Sequence, residues 1–158
     1  RSICKGEMVA GGMIEANLAR DPHNRLKFKV SEIGRESRTH YRVLRRLKGY
    51  TFIGIRLDTG RTHQIRVHMD YINYPILGDQ LYGGRLAFPK NLKEETREML
   101  MSFKRQALHA FRLSFKHPIS EEMISLTSPI PDDMESMIIA LSDQDLDSQA
   151  INEFSYPE

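Results

Sequence analysis

Thr51-Phe52-Ile53-Gly54-Ile55-Arg56-Leu57-Asp58-Thr59-Gly60-Arg61-Thr62-His63-Gln64-Ile65-Arg66-Val67-His68-Met69-Asp70-Tyr71-Ile72 changes its hydrophobic period half-way along. Up to Leu57, the residues Thr51, Ile53, Ile55 and Leu57 alternate with Phe52, Gly54 and Arg56, as a strand requires. From Thr62 onward, Ile65, His68, Met69 and Ile72 fall at i, i+3, i+4 and i+7, the stripe of a helix. Asp58-Thr59-Gly60 is the turn between them, and Pro75 stops the helix near Asn73. The unpaired N–H groups at the start of that helix, with Arg61 beside them, form a seat for a phosphate. Arg66 lies one turn further in, near His63, on a helix otherwise buried, and an arginine so placed suits a carboxylate. Spacing alone favours a local pair between Arg66 and Asp70, although that basic-then-acidic order is the weaker one.

On the N-terminal side, Gly11-Gly12 reads as a turn into a short strand, and Asp21-Pro22-His23-Asn24 as a loop. Leu26-Lys27-Phe28-Lys29-Val30 alternates apolar and basic residues, the pattern of a strand with one wet, cationic face, and His40 to Leu44 repeats it less cleanly. On the C-terminal side, Asn91 is the expected N-cap of a helix with Leu92, Met99, Leu100 and Phe103 on its apolar face. His109, Phe111, Leu113, Phe115 and His117 alternate as a strand, and Ile124 and Leu126 mark its hairpin partner. Pro131, Asp132 and Asp133 open a last helix that buries Met134, Met137, Ile138 and Leu141.

The 158 residues are 40% hydrophobic and 28% charged, a globular composition compatible with one domain or part of a larger one. Apolar runs stop well short of the roughly 20 residues of a membrane span, no secretory h-region opens the chain, and the lone Cys4 gives no disulfide framework. A cytoplasmic location is therefore expected. Arg1 in place of an initiator methionine suggests a chain begun mid-protein. The net charge of +2 conceals an asymmetry, because the last sixteen residues carry five carboxylates and no Lys or Arg. They are expected to form a frayed, flexible acidic tail over residues 143–158. Ten basic residues, among them Arg25, Lys27 and Lys29, lie between Arg20 and Lys48. That stretch is either a phosphate-binding surface or the solvated face of a basic protein.

No Gly-x-x-x-x-Gly-Lys-Ser/Thr, Gly-x-Gly-x-x-Gly, Gly-x-Ser-x-Gly or His-Glu-x-x-His motif occurs. His63 and His68 would point about 140° apart on a helix. His109 and His117 would lie roughly 26 Å apart along a strand. Neither pair shares an ion, so no metal is expected.

Several segments, taken in order, resemble one family. They are Thr39-His40-Tyr41-Arg42-Val43-Leu44, Gly60 to His68, Pro75-Ile76-Leu77-Gly78-Asp79 with Tyr82-Gly83-Gly84, Arg105 to Ala110 with Leu113, and His117-Pro118. Together, over about residues 8 to 135, they resemble the pseudouridine synthases related to the ribosomal large-subunit enzymes C and D, the D type most closely. The resemblance implies an α+β fold, a mixed, largely antiparallel sheet with packed helices, of which residues 1–142 are the C-terminal portion of a catalytic domain. It implies isomerisation of selected uridines in RNA, that of the ribosomal large subunit, without metal or organic cofactor. In that family an aspartate in His-Arg-Leu-Asp acts on a flipped-out nucleotide and pairs with an arginine, which by position is Arg66. That implication reverses the preference for Arg66–Asp70, since a buried catalytic carboxylate needs a cation to stay ionised. Arg61, His63 and Tyr82 are implied to line or support the RNA cleft, beside the cationic surface of Arg25, Lys27 and Lys29.

This chain contains no His-Arg-Leu-Asp, and neither Asp58 nor Asp79 has that motif's neighbours. It is expected to be inactive alone, to need an upstream segment of the same domain as partner, and to expose strand edges and apolar surface. The competing reading is a non-catalytic RNA-binding module.

Overall fold

A computed structural model describes residues 1–86, 88–142 and 146–153. The central sheet has four strands, all antiparallel, in the order β1-β6-β5-β2: β1 (Ser2–Lys5), β2 (Gly12–Glu15), β5 (Arg38–Leu47) and β6 (Tyr50–Leu57). Two short antiparallel hairpins stand apart from it, β3 (Leu18–Arg20) with β4 (Phe28–Val30), and β7 (Arg112–Lys116) with β8 (Met123–Thr127). The helices are α1 (Gln64–Tyr71), α2 (Glu94–Ser102), α3 (Asp132–Leu141) and α4 (Ser148–Glu153). The α+β architecture is the one implied by the family resemblance.

The change of period found in the sequence is realised: β6 ends at Leu57 and α1 begins at Gln64. Its buried residues are Gln64, Val67, His68 and Met69, so the stripe is rotated from the apolar one, with Ile65 and Ile72 only half-buried. His68 and Met69 lie on the expected stripe, whereas polar Gln64 enters because tertiary hydrogen bonds satisfy it, a compensation that a hydropathy pattern does not register.

The core joins the sheet to the helices through Ile3, Phe52, Ile53, Met69, Leu100, Met134, Met137 and Ile138. Strand β1 is held from two sides. It pairs with β6, while Ile3 N–H donates to Ala107 O (3.0 Å), Leu77 N–H to Ile3 O (2.9 Å) and Ala107 N–H to Leu77 O (2.8 Å). Segments 75–79 and 105–108, two of the matching motifs, are thus laced to the strand beside the sheet. Gly78 has φ +74, and a Cβ there would come 2.0 Å from Arg105 O. A Cβ on Gly83 would come 2.3 Å from Asp79 O. Both positions need glycine because the loop carrying Asp79 and Tyr82 is folded tightly onto its neighbours.

Three boundaries differ from the sequence reading. Asn91 adopts φ +58 and the α2 cap moves to Lys93, so Glu94 and Glu95 lie in the first turn, where the helix dipole favours them. The strand expected from His109 begins only at Arg112, because His109 N–H is spent on Arg1 O and its ring on Ser128 O. Within the stretch read as a frayed acidic tail, residues 148–153 form a helix that buries Ile151 and receives Arg1 Nη1 on Ile151 O at 2.8 Å. Residues 143–145 and 154–158 lie outside the described residues.

Candidate active site

The loop after α1 brings an aspartate to Arg66. Arg66 Nε donates to Asp79 Oδ2 at 2.7 Å and Nη2 to Oδ1 at 2.9 Å, the two-pronged pairing that planar guanidinium and carboxylate groups favour. The Asp79 side chain is 0% exposed and that of Arg66 13%. Asp79 Oδ1 also accepts the N–H groups of Leu81 (2.9 Å) and Tyr82 (3.1 Å). Burial pushes the Asp79 carboxyl up, but the hydrogen bonds from Arg66, Leu81 and Tyr82 outweigh it and hold the group below its ordinary value. The same pairing raises Arg66. Asp70 is not its partner; that carboxyl lies at the surface, and partial burial raises it.

Tyr82 is the hub beside this pair. Its hydroxyl accepts Phe28 N–H at 2.8 Å and lies 2.9 Å from His63 Nδ1. The His63 ring meets Phe28 and Tyr82 edge-on, with centroids 5.8 and 5.6 Å apart. The Arg66 guanidinium stands 4.9 Å from the centre of the Tyr82 ring, and Lys27 Nζ stands 5.7 Å from it. His63 is in the left-handed region, φ +56, at the N-cap of α1. Burial first, then the Arg66 charge, lower its pKa. The β3–β4 hairpin is thereby seated on α1 through Phe28, and an open cleft of about 410 Å³ runs beside it, lined by Leu18, Arg20, Phe28, Arg35, Arg61 and Thr62 among others.

The opposite side of α1 is a closed network. Gln64 Oε1 accepts from Thr59 Oγ1 (2.8 Å) and Arg61 N–H (2.9 Å), while its Nε2 donates to Arg38 O and Thr39 Oγ1, both 3.0 Å. His68 Nδ1 meets Thr39 Oγ1 at 2.8 Å and its Nε2 meets Ala16 O at 2.9 Å. Carbonyls accept only, so His68 carries its proton on Nε2 and Thr39 donates to Nδ1. Burial lowers the His68 pKa, in keeping with that neutral ring. These contacts fasten α1 to β5.

Three comparisons with known proteins show what the chain is similar to. The model of the RNA pseudouridylate synthase family matches residues 1–71. Ribosomal large subunit pseudouridine synthase D of Vibrio cholerae serotype O1 is 48% identical over 140 residues, covering 89% of this chain and 43% of the relative. The chain belongs to the RNA pseudouridylate synthase family. The same-named enzyme of Haemophilus influenzae is 45% identical over 148 residues, covering 94% of this chain and 46% of its own length. The chain thus spans under half the length of the curated relatives it matches. A solved structure, Human RNA Pseudouridylate Synthase Domain Containing 1, superimposes with TM-score 0.68 at 23% identity, covering 89% of this chain and 57% of that one, a likeness of fold.

Within this member of the family, the structure gathers Arg66, His63, Tyr82 and Lys27 at one place. Arg61 lies apart from that cluster, exposed, with Nε on Glu36 O at 3.2 Å. Arg25 and Lys29 are exposed on the β3–β4 hairpin, where Arg25 O accepts Arg20 Nη1 at 2.7 Å. The phosphate seat expected at the Gly60 turn is partly closed, because Arg61 N–H is committed to Gln64 Oε1 and Gln64 N–H to Arg61 O. Asp79 was missed as the partner of Arg66. The Gly78-Asp79 turn is visible in the sequence, but a contact across 13 residues leaves no helical spacing to find it. Among the described residues no cluster of His, Cys, Asp and Glu is arranged to hold a metal, and no helix is long and apolar enough to cross a membrane.

Proposed function

We propose that this chain is part of a cytoplasmic RNA pseudouridine synthase that isomerises specific uridines of large-subunit ribosomal RNA. The observation that carries the reading is the 48% identity over 89% of the chain to an enzyme named for that activity. In the isomerisation the N1–C1′ glycosidic bond breaks, a C5–C1′ bond forms, the C5 proton is released to solvent and N1 takes up a proton in its place. The chain lacks the family's His-Arg-Leu-Asp carboxylate, so it contributes Arg66 and the RNA-facing surface, and is inactive until an upstream segment of the domain brings the aspartate. Asp79 takes Arg66 Nε and Nη2, and no contact of Nη1 is found among the described residues. In this reading Asp79 orients Arg66, and the remaining N–H groups hold the incoming aspartate ionised. Arg61, His63, Arg25, Lys27 and Lys29 meet the RNA, whose charge supplies most of the non-specific affinity. Tyr82, 7% exposed, serves from beneath that surface.

The test is tritium release from large-subunit ribosomal RNA labelled at uracil C5, using the chain alone and with the segment bearing His-Arg-Leu-Asp. Release only with the segment, abolished by Arg66→Ala, is the expected result. Release by the chain alone would locate the carboxylate within these residues. Binding without release, in a reconstituted and folded domain, would favour a non-catalytic RNA-binding module.

A further inference from the structure

The Tyr82 hydroxyl has one proton to give and lies against a ring nitrogen that can take it. Its oxygen accepts Phe28 N–H, and its own proton is then available to His63 Nδ1 at 2.9 Å. A ring whose Nδ1 accepts is neutral and carries its proton on Nε2. That Nε2 has no contact among the described residues, and the ring is only partly buried. The groups around it are Arg66 on α1, Asp79 and Tyr82 on the following loop, and Lys27 on the β3–β4 hairpin, whose ammonium stands 5.7 Å from the centre of the Tyr82 ring. Arg66 opposes protonation of His63 and Asp79 favours it, but Asp79 is already neutralised by Arg66.

We infer that Tyr82 is a positioning residue that holds His63 as a fixed, uncharged Nε2–H donor for an acceptor oxygen of bound RNA. Among arginines and lysines that attract phosphate at any angle, such a donor adds direction: it rewards one placement of one oxygen and does not slide along the backbone. Tyr82 acts on two elements at once, since the hydroxyl that sets the His63 tautomer also anchors Phe28 and hence the basic hairpin. The inference rests on the RNA reading for its ligand, whereas the Tyr82–His63 coupling stands on the geometry alone.

The test begins with nitrogen-15 spectra of the imidazoles in the 158-residue chain. His63 is expected as the Nε2–H tautomer, neutral to below pH 6.5, its unperturbed midpoint. Tyr82→Phe keeps the ring and removes the donor, so the tautomers should mix and the His63 midpoint should rise. Affinity for a single-stranded oligouridylate should fall about three- to tenfold at pH 7.5 in Tyr82→Phe and in His63→Leu, the loss of one hydrogen bond. His63→Gln, whose amide restores a donor, should retain most of the affinity, and Tyr82→Phe added to it should cost less than Tyr82→Phe in the wild type, since only the Phe28 anchor is then lost. In Tyr82→Phe alone, binding should strengthen on acidification to about pH 6, because the freed imidazole gains a proton and a charge. A shift of the Nε2 signal with inorganic phosphate alone would assign the acceptor to the RNA backbone, and a shift only with oligouridylate would assign it to base or ribose. An Nδ1–H tautomer in the wild type, or an unchanged tautomer in Tyr82→Phe, overturns the inference. So does tight binding by His63→Leu, which leaves the RNA reading intact. A wild-type chain with the expected tautomer and no affinity for oligouridylate would instead remove the RNA reading and leave the Tyr82–His63 coupling.

Discussion

The corner built by α1 and the Asp79 loop contrasts with the β7–β8 hairpin at the other end of the chain. In the corner, charged and polar side chains are buried: Asp79, Gln64 and His68 have almost no exposure, and each has its hydrogen-bonding atoms partnered. In the hairpin, apolar side chains are exposed, Leu113 at 60% and Met123 at 69%, although five cross-strand pairs are in register. Alternation therefore specified the hairpin's pairing without supplying a surface to bury it. The corner shows the converse, burial achieved against polarity because tertiary partners compensate each group.

The sharpest way to break this comparison is to remove one half of the buried ion pair. Asp79→Ala leaves Arg66 without its carboxylate and the amides of Leu81 and Tyr82 without their acceptor, and should cost about 3 kcal/mol in urea unfolding. Gln64→Ala should cost less, about 2 kcal/mol, because the Thr59 hydroxyl and Arg61 amide it strands are nearer to water than Asp79. The Asp79 carboxyl is lowered in the folded state, so its contribution is fully present above the unfolded carboxyl pKa of about 3.9 and is lost as the pH falls through the lower folded value. Unfolding midpoints of the wild type should fall more steeply than those of Asp79→Asn below about pH 4. The loss should be smaller than in Asp79→Ala, since a protonated carboxyl still accepts hydrogen bonds. In the hairpin, Leu113→Ser and Met123→Ser should each stay within about 0.5 kcal/mol of the wild type. A large loss there would mean that the hairpin packs in solution and would erase the contrast.

Legibility followed the same division. The α3 helix was readable because Met134, Met137, Ile138 and Leu141 recur at helical spacing and are the residues it buries. The strand, turn and helix from Tyr50 to Tyr71 were readable because the period changes within them. Asp79 was not readable as the partner of Arg66, since the nearer Asp70 fits the only rule that spacing offers. The Asn91 cap differs for another reason: Asn91 adopts a left-handed conformation, φ +58, instead of the extended one a cap takes, and Lys93 caps the helix.

By itself, the amino-acid order determined the approximate place of most of the strands and helices between Gly12 and Leu141, that positive charge gathers between Arg20 and Lys48, and, through its motifs, the family. Those properties depend on neighbours within a few residues, or on identities that need no coordinates. The tertiary structure decided that Arg66 serves Asp79, that Tyr82 joins Phe28 to His63, and that two of the three polar residues at Gln64, Arg66 and His68 fasten α1 to the sheet side while the third faces the Asp79 loop. Each of those outcomes is a hydrogen bond between segments distant in sequence, and its energy depends on distance, angle and burial, which exist only once the chain has folded.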